Sequence, residues 1–260
     1  RRAPFELLKW ISHRYGFGTF IHFVEGYLSV EQMEVSKHTV EKLIALNEES
    51  GAGVFVDTMV SPSFTTALFQ TIQLPGISGL ANNSVLFEFC DDLSEELAQI
   101  TKGCELAGNL GYNTCVLRST DRHFGYHRRL HVWLTRYDDA NANLMILLAY
   151  IIIGHPDWAA AEMTIFATFP ADSLADEVEG LRERIATGRL PISPHNVRAL
   201  PADDVVAIDE LMAAHSADAD LILRGYNLEL IGHQGTEVFT RYKAASDILY
   251  VNANEDIVIS

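Results

Sequence analysis

The strongest constraint on this chain is a repeating order. Short apolar runs bounded by turn residues alternate with stretches of helical periodicity, almost from one end to the other. Residues 19–29 are apolar and rich in β-formers, as a buried strand requires. Ser36 then opens a helix with Val40, Leu43, Ile44 and Leu46 inward and Gly51 as its stop. A strand at 53–60, a helix opened by Ser61-Pro62-Ser63 and stopped near Pro75, and a strand at 85–90 follow. Asp92 stands three residues before Glu95, a capping-box spacing, and the helix it opens carries Leu97, Ile100, Cys104 and Ala107 on one face. A fourth strand spans 114–119.

Residues 121–129, DRHFGYHRR, break the rhythm and read as a linker between halves. The pattern then restarts: strand 131–135, an almost wholly apolar helix 141–154, strand 162–169, a helix from Ser173 to Gly188, a short strand 197–200, and a helix capped by Asp203 or Asp204. A strand at 220–230 and two strands at 248–259 around Asn252-Ala253-Asn254 complete the reading. Strand–helix alternation of this kind implies an α/β fold: mainly parallel sheets, right-handed crossovers, helices on both faces, here as two similar units in tandem. The expected division is a tether at 1–16, a first subdomain at 17–125 and a second at 126–260.

Charge and composition narrow the function. Thirty-five acids against 19 lysines and arginines give a net charge of −16, which repels phosphate backbones and argues against a nucleic-acid partner. The strongest apolar run, 144–153, is ten residues, against the roughly 18–20 that a spanning helix needs, so a soluble module is expected. The three cysteines, Cys90, Cys104 and Cys115, are odd in number and unpaired in spacing, which fits a reducing compartment and a role as small core residues. Arg1-Arg2 at the start fits the cytoplasmic flank of a preceding membrane helix.

The motifs for chemistry are weak. Gly16-Phe17-Gly18 precedes a strand, whereas a dinucleotide fingerprint lies between strand and helix. P-loop and nucleophile-elbow patterns are absent. His123, His127 and His131 are spaced i, i+4, i+8, yet Gly125 interrupts them and His131 begins a strand. Asp203, Asp204, Asp209, Glu210, Asp218 and Asp220 form an acid-rich stretch read mainly as helix-start charge. Crevices above strand ends offer Glu25, Ser29, Asp57 and Ser61 as ligating groups, and Gly108 and Gly111 supply only the first half of a stress-protein phosphate loop, Asp121 and Arg122 standing where the second half belongs. No residue is assigned as catalytic or as a metal ligand, no cofactor-binding residue is identified, and no cofactor is expected; nucleotide binding lacks a motif.

Two passages carry a resemblance. The segment 132–167, VWLTRYDDANANLMILLAYIIIGHPDWAAAEMTIFA, resembles the cytoplasmic domain of cation–chloride cotransporters, where a Trp-Trp-Leu-type strand, a short turn, a Leu-rich helix, a Trp-containing turn and an I-R-V-F-like strand follow one another. The counterparts are Val132-Trp133-Leu134, Asp138-Asp139, the helix from Leu144 to Ile153, Trp158, and the strand from Met163 to Phe166. The start, RRAPFELLKWISHRYGFGTFIHFVEG, resembles that family's R-P-x-x-L…G opening. The resemblance implies two universal-stress-protein-like (Rossmann-like) subdomains at the cytoplasmic face of the cell membrane. It further implies a membrane transport domain as partner, a homodimer, and regulation of a secondary-active carrier without catalysis. The compact chain lacks the long phosphorylation-rich insertions of animal members, which points to a prokaryotic relative. The helix at 205–217 and the segment after Gly232 are the expected dimer surfaces. The alternative is a free-standing universal-stress-like nucleotide-binding protein.

Overall fold

In the computed structural model, residues 2–14, 16–51, 53–74, 76, 81–90, 94–187, 192–243 and 245–255 are described. The expected signals at Pro75, Asp92 and Gly188, and the last strand beyond residue 255, lie outside them. The chain is α/β, with mostly parallel sheets flanked by helices, and it divides into two compact units, 1–83 and 84–260.

The first unit runs α1 (Ala3–Ser12), β1 (Thr19–Glu25), α2 (Val30–Ser50), β2 (Phe55–Ser61) and α3 (Phe64–Ile72). The stretch expected to be a tether is largely helix, and it is anchored. Pro4 sits in the first turn of α1, where its missing N–H costs nothing, and Phe5, Leu7 and Trp10 are buried. Phe5 and Val54 form a small core with Leu8, Phe20, Leu46 and Val56 packed around it. Strands β1 and β2 pair in parallel, Thr19 opposite Phe55 through Glu25 opposite Ser61. Helix α2 begins seven residues before the expected position, because Ser29 is its cap and accepts from Gln32 N; Ser36 instead bonds Thr58 at 2.6 Å. Gly51 ends the helix in the left-handed conformation at φ 61°, as expected.

The second unit contains β3 (Ser84–Cys90), α4 (Ser94–Asn109), β4 (Asn113–Ser119), β5 (Arg129–Thr135), α5 (Asp139–Ile153) and β6 (Glu162–Phe169). It continues through α6 (Leu174–Thr187), β7 (Val197–Pro201), α7 (Val205–His215), β8 (Leu221–Gly225), α8 (Leu228–Gln234), α9 (Glu237–Thr240) and β9 (Asp247–Asn252). Its seven strands lie in the order β3-β4-β9-β8-β5-β6-β7, all neighbours parallel except β4 and β9. The boundary expected at 125/126 therefore falls inside one sheet, because β4 hydrogen-bonds β9 antiparallel from Thr114–Asn252 to Arg118–Ile248. The run 220–230, expected as one strand, stops at Gly225; Asn227 caps α8 by accepting from Glu229 N.

The 121–129 segment is held tightly in place. From the end of β4 to the start of β5 it crosses the ends of β9 and β8, three strand spacings or about 14 Å. Each strand it crosses supplies a buried aspartate. Asp247 accepts from Thr120 N and Phe124 N, each at 2.6 Å. Asp220 accepts from Tyr126 N at 3.1 Å, Arg128 N at 2.7 Å and Arg129 N at 3.0 Å. These bonds hold His123, Phe124 and His127 at φ of 47°, 60° and 54°, left-handed conformations that cost a side-chain-bearing residue on the order of 1 kcal/mol each. Burial pushes the Asp247 carboxyl up, and the N–H bonds from Phe124 and Thr120 pull the other way.

Asp247→Asn should destabilise the chain by about 2–4 kcal/mol, because both carboxylate oxygens accept a backbone N–H and an amide must point its NH2 at one of them. Urea unfolding checks this, with exposed Asp121→Asn as the neutral comparison.

Candidate functional site

In an open parallel sheet, ligands enter beyond the carboxyl ends of the strands where strand order reverses. In the run β7-β6-β5-β8-β9 that point lies between β5 and β8. Here the protein's own polar groups fill it. Asp138, between β5 and α5, is buried; its Oδ2 accepts from Thr135 N at 2.9 Å and Thr135 Oγ1 at 2.7 Å. Asn141, on the first turn of α5, donates to Tyr226 O at 3.0 Å and accepts from Ala253 N at 2.8 Å, joining α5 to the ends of β8 and β9. Asn252 also donates to Tyr226 O, at 3.1 Å. Gly225 ends β8 directly against Asp138, with no room for a Cβ beside the carboxylate. Behind this layer the Tyr226 hydroxyl bonds Thr114 Oγ1 at 2.5 Å.

The electrostatics favour structure over reactivity. Burial pushes the Asp138 carboxyl up, while hydrogen bonds from Thr135 and Asn141 and the charge of Arg224 hold it down. Burial also raises the Tyr226 hydroxyl, and it pushes the Cys104 and Cys115 thiols up to about 12, leaving both as neutral core groups. Cys90, half-buried, meets Ser119 Oγ at 3.3 Å and Glu88 Oε1 at 3.5 Å.

The sequence candidates are dispersed. Glu25 and Ser61 do sit opposite one another at the carboxyl ends of β1 and β2. Ser29, however, is committed to the α2 cap, Asp57 lies mid-strand and accepts from Thr58 N, and Ser61 is buried with its hydroxyl unpartnered. Gly108 and Gly111 form the turn that closes α4, Gly111 N donating to Gly108 O at 2.9 Å. Among the acids only Asp204 caps a helix, accepting from Ala207 N. Asp209 binds Arg224 at 2.7 Å and Arg241 at 3.1 Å, Asp218 pairs with Arg129, and Asp220 holds the linker.

The three histidines take separate roles. His123 is exposed, and His127 packs on Trp158 with ring centroids 4.9 Å apart and the planes tilted by 34°. His131 is buried, its Nδ1 2.8 Å from Ser216 Oγ. Ser216 Oγ also accepts from Trp133 Nε1 at 2.9 Å, so one hydroxyl just after α7 ties two neighbouring β5 side chains in place. Among the described residues, no group of three or more His, Cys, Asp or Glu side chains is placed to hold a metal ion.

No family model matches the chain, and no curated protein matches it. Solved structures do. The cytoplasmic domain of a prokaryotic cation chloride cotransporter superposes with a TM-score of 0.60 at 14% identity, covering 98% of this chain and 92% of that one. The likeness is one of fold. A universal stress protein from Archaeoglobus fulgidus gives a TM-score of 0.55 at 11% identity over 96% of this chain and 92% of that one. A functionally unknown protein from Pseudomonas aeruginosa gives 0.53 at 15% identity over 92% and 93%.

The closed switch point predicts that Gly225→Ala will cost about 1–3 kcal/mol in thermal unfolding, since Asp138 or the strand end must move, while Gly180→Ala, with open space around it, will be neutral or stabilising. A second prediction concerns pH. Burial, reinforced by Arg129 and Arg198, pushes His131 down to about 4. Between about pH 6.5 and 4 the unfolded chain binds a proton there that the native one does not, so this contribution is complete above pH 6.5 and is lost as pH falls. Relative to His131→Gln, the wild type should lose on the order of 3 kcal/mol across that window in paired urea titrations.

Proposed function

We propose that this chain is a regulatory and dimerisation domain on the cytoplasmic side of a secondary-active cation–chloride cotransporter, with no catalysis of its own. The observation that carries the reading is the fold match to the cytoplasmic domain of such a transporter, which extends over 98% of this chain and 92% of that one. The closed switch point is consistent with it: Asp138, Asn141 and Gly225 occupy the place where a fold of this type takes a small ligand, and they serve packing there. Among the described residues no helix is long and apolar enough to cross a membrane, so a transport path would lie in another part of the protein. The partners of such a domain are its own membrane transport domain and a second copy of itself. The net charge of −16 disfavours nucleic acid.

A second reading has its own support, since the match to a universal stress protein also spans 96% of this chain. On that reading the chain binds a nucleotide, at the ends of β1 and β2 where Glu25 and Ser61 meet or at a rearranged switch point.

Titration calorimetry with ATP and AMP, together with sedimentation over a micromolar-to-millimolar series, separates the two. The proposed function expects reversible dimers and no nucleotide heat. Saturable nucleotide binding by a monomeric chain would transfer the conclusion to the second reading.

A further inference from the structure

We draw no further inference here: the strongest candidate, the side-chain cluster at the carboxyl ends of β1 and β2, where Glu25 stands opposite a buried Ser61 whose hydroxyl has no partner among the described residues, belongs to the site already described and carries no observation that points to a further ligand.

Discussion

The second unit depends on two carboxylates that close one crossing. Between β4 and β5 the backbone must pass over the ends of two intervening strands, and a nine-residue polar segment has no sheet partner to bond on the way. Asp247 and Asp220, standing at the starts of the strands being crossed, accept five backbone N–H groups from residues 120–129. They fix the left-handed turns at His123, Phe124 and His127 and drive the Phe124 ring into the core. With the crossing fixed, β4 can lie antiparallel to β9 and β5 parallel to β8, and one sheet extends where the chain might otherwise have divided. The carboxylates stay buried because backbone donors, which cannot titrate, satisfy them, and Arg122 adds an ion pair to Asp220 at 3.7 Å.

At the opposite end of β5 and β8 the same principle operates to a different effect. Asn141 and Asn252 bond the carbonyl and N–H groups where β8 and β9 finish, Asp138 accepts from Thr135 and Asn141, and Gly225 lets that carboxylate approach the backbone closely. A ligand bound there would have to displace hydrogen bonds made inside the protein, at about 1 kcal/mol or more for each one broken without replacement. The arrangement lends rigidity to a place that many α/β sheets keep open.

Much of this was legible in the sequence, for identifiable reasons. Period-two and period-3.6 patterns located β3 through β7 and α4 through α7 because local burial dictates them. The role of the linker was hidden, since its anchors lie 91 to 127 positions away and an aspartate beside a strand carries no mark of what it will accept. Helix α1 falls where a tether is expected, and the burial of Phe5, Leu7 and Trp10 that anchors it depends on tertiary neighbours the local sequence does not name. The run 220–230 concealed a strand end. Gly225 followed by Asn227 was the available signal, a breaker and then a cap, and the apolar residues on either side masked it. The closed switch point was not legible at all, because Asp138, Asn141, Gly225 and Asn252 become neighbours only through the strand order.

The two units differ in how they satisfy their own surfaces. In the second, β4, β5, β6, β8 and β9 are buried almost end to end, as parallel strands covered on both faces should be. In the first, β1 and β2 are mostly half-exposed, and a 21-residue helix contributes nothing fully buried. A two-stranded parallel sheet is a small platform, and the burial in this unit comes from α1 and α3 rather than from α2. Yet its local signals are sound: Ser29 and Gly51 cap α2, Asn47 bonds both the N–H and the C=O of Val54, and Ser63 caps α3. The first unit thus takes its order from local caps and side-chain-to-backbone bonds more than from burial, whereas the second takes its order from a sheet covered on both faces.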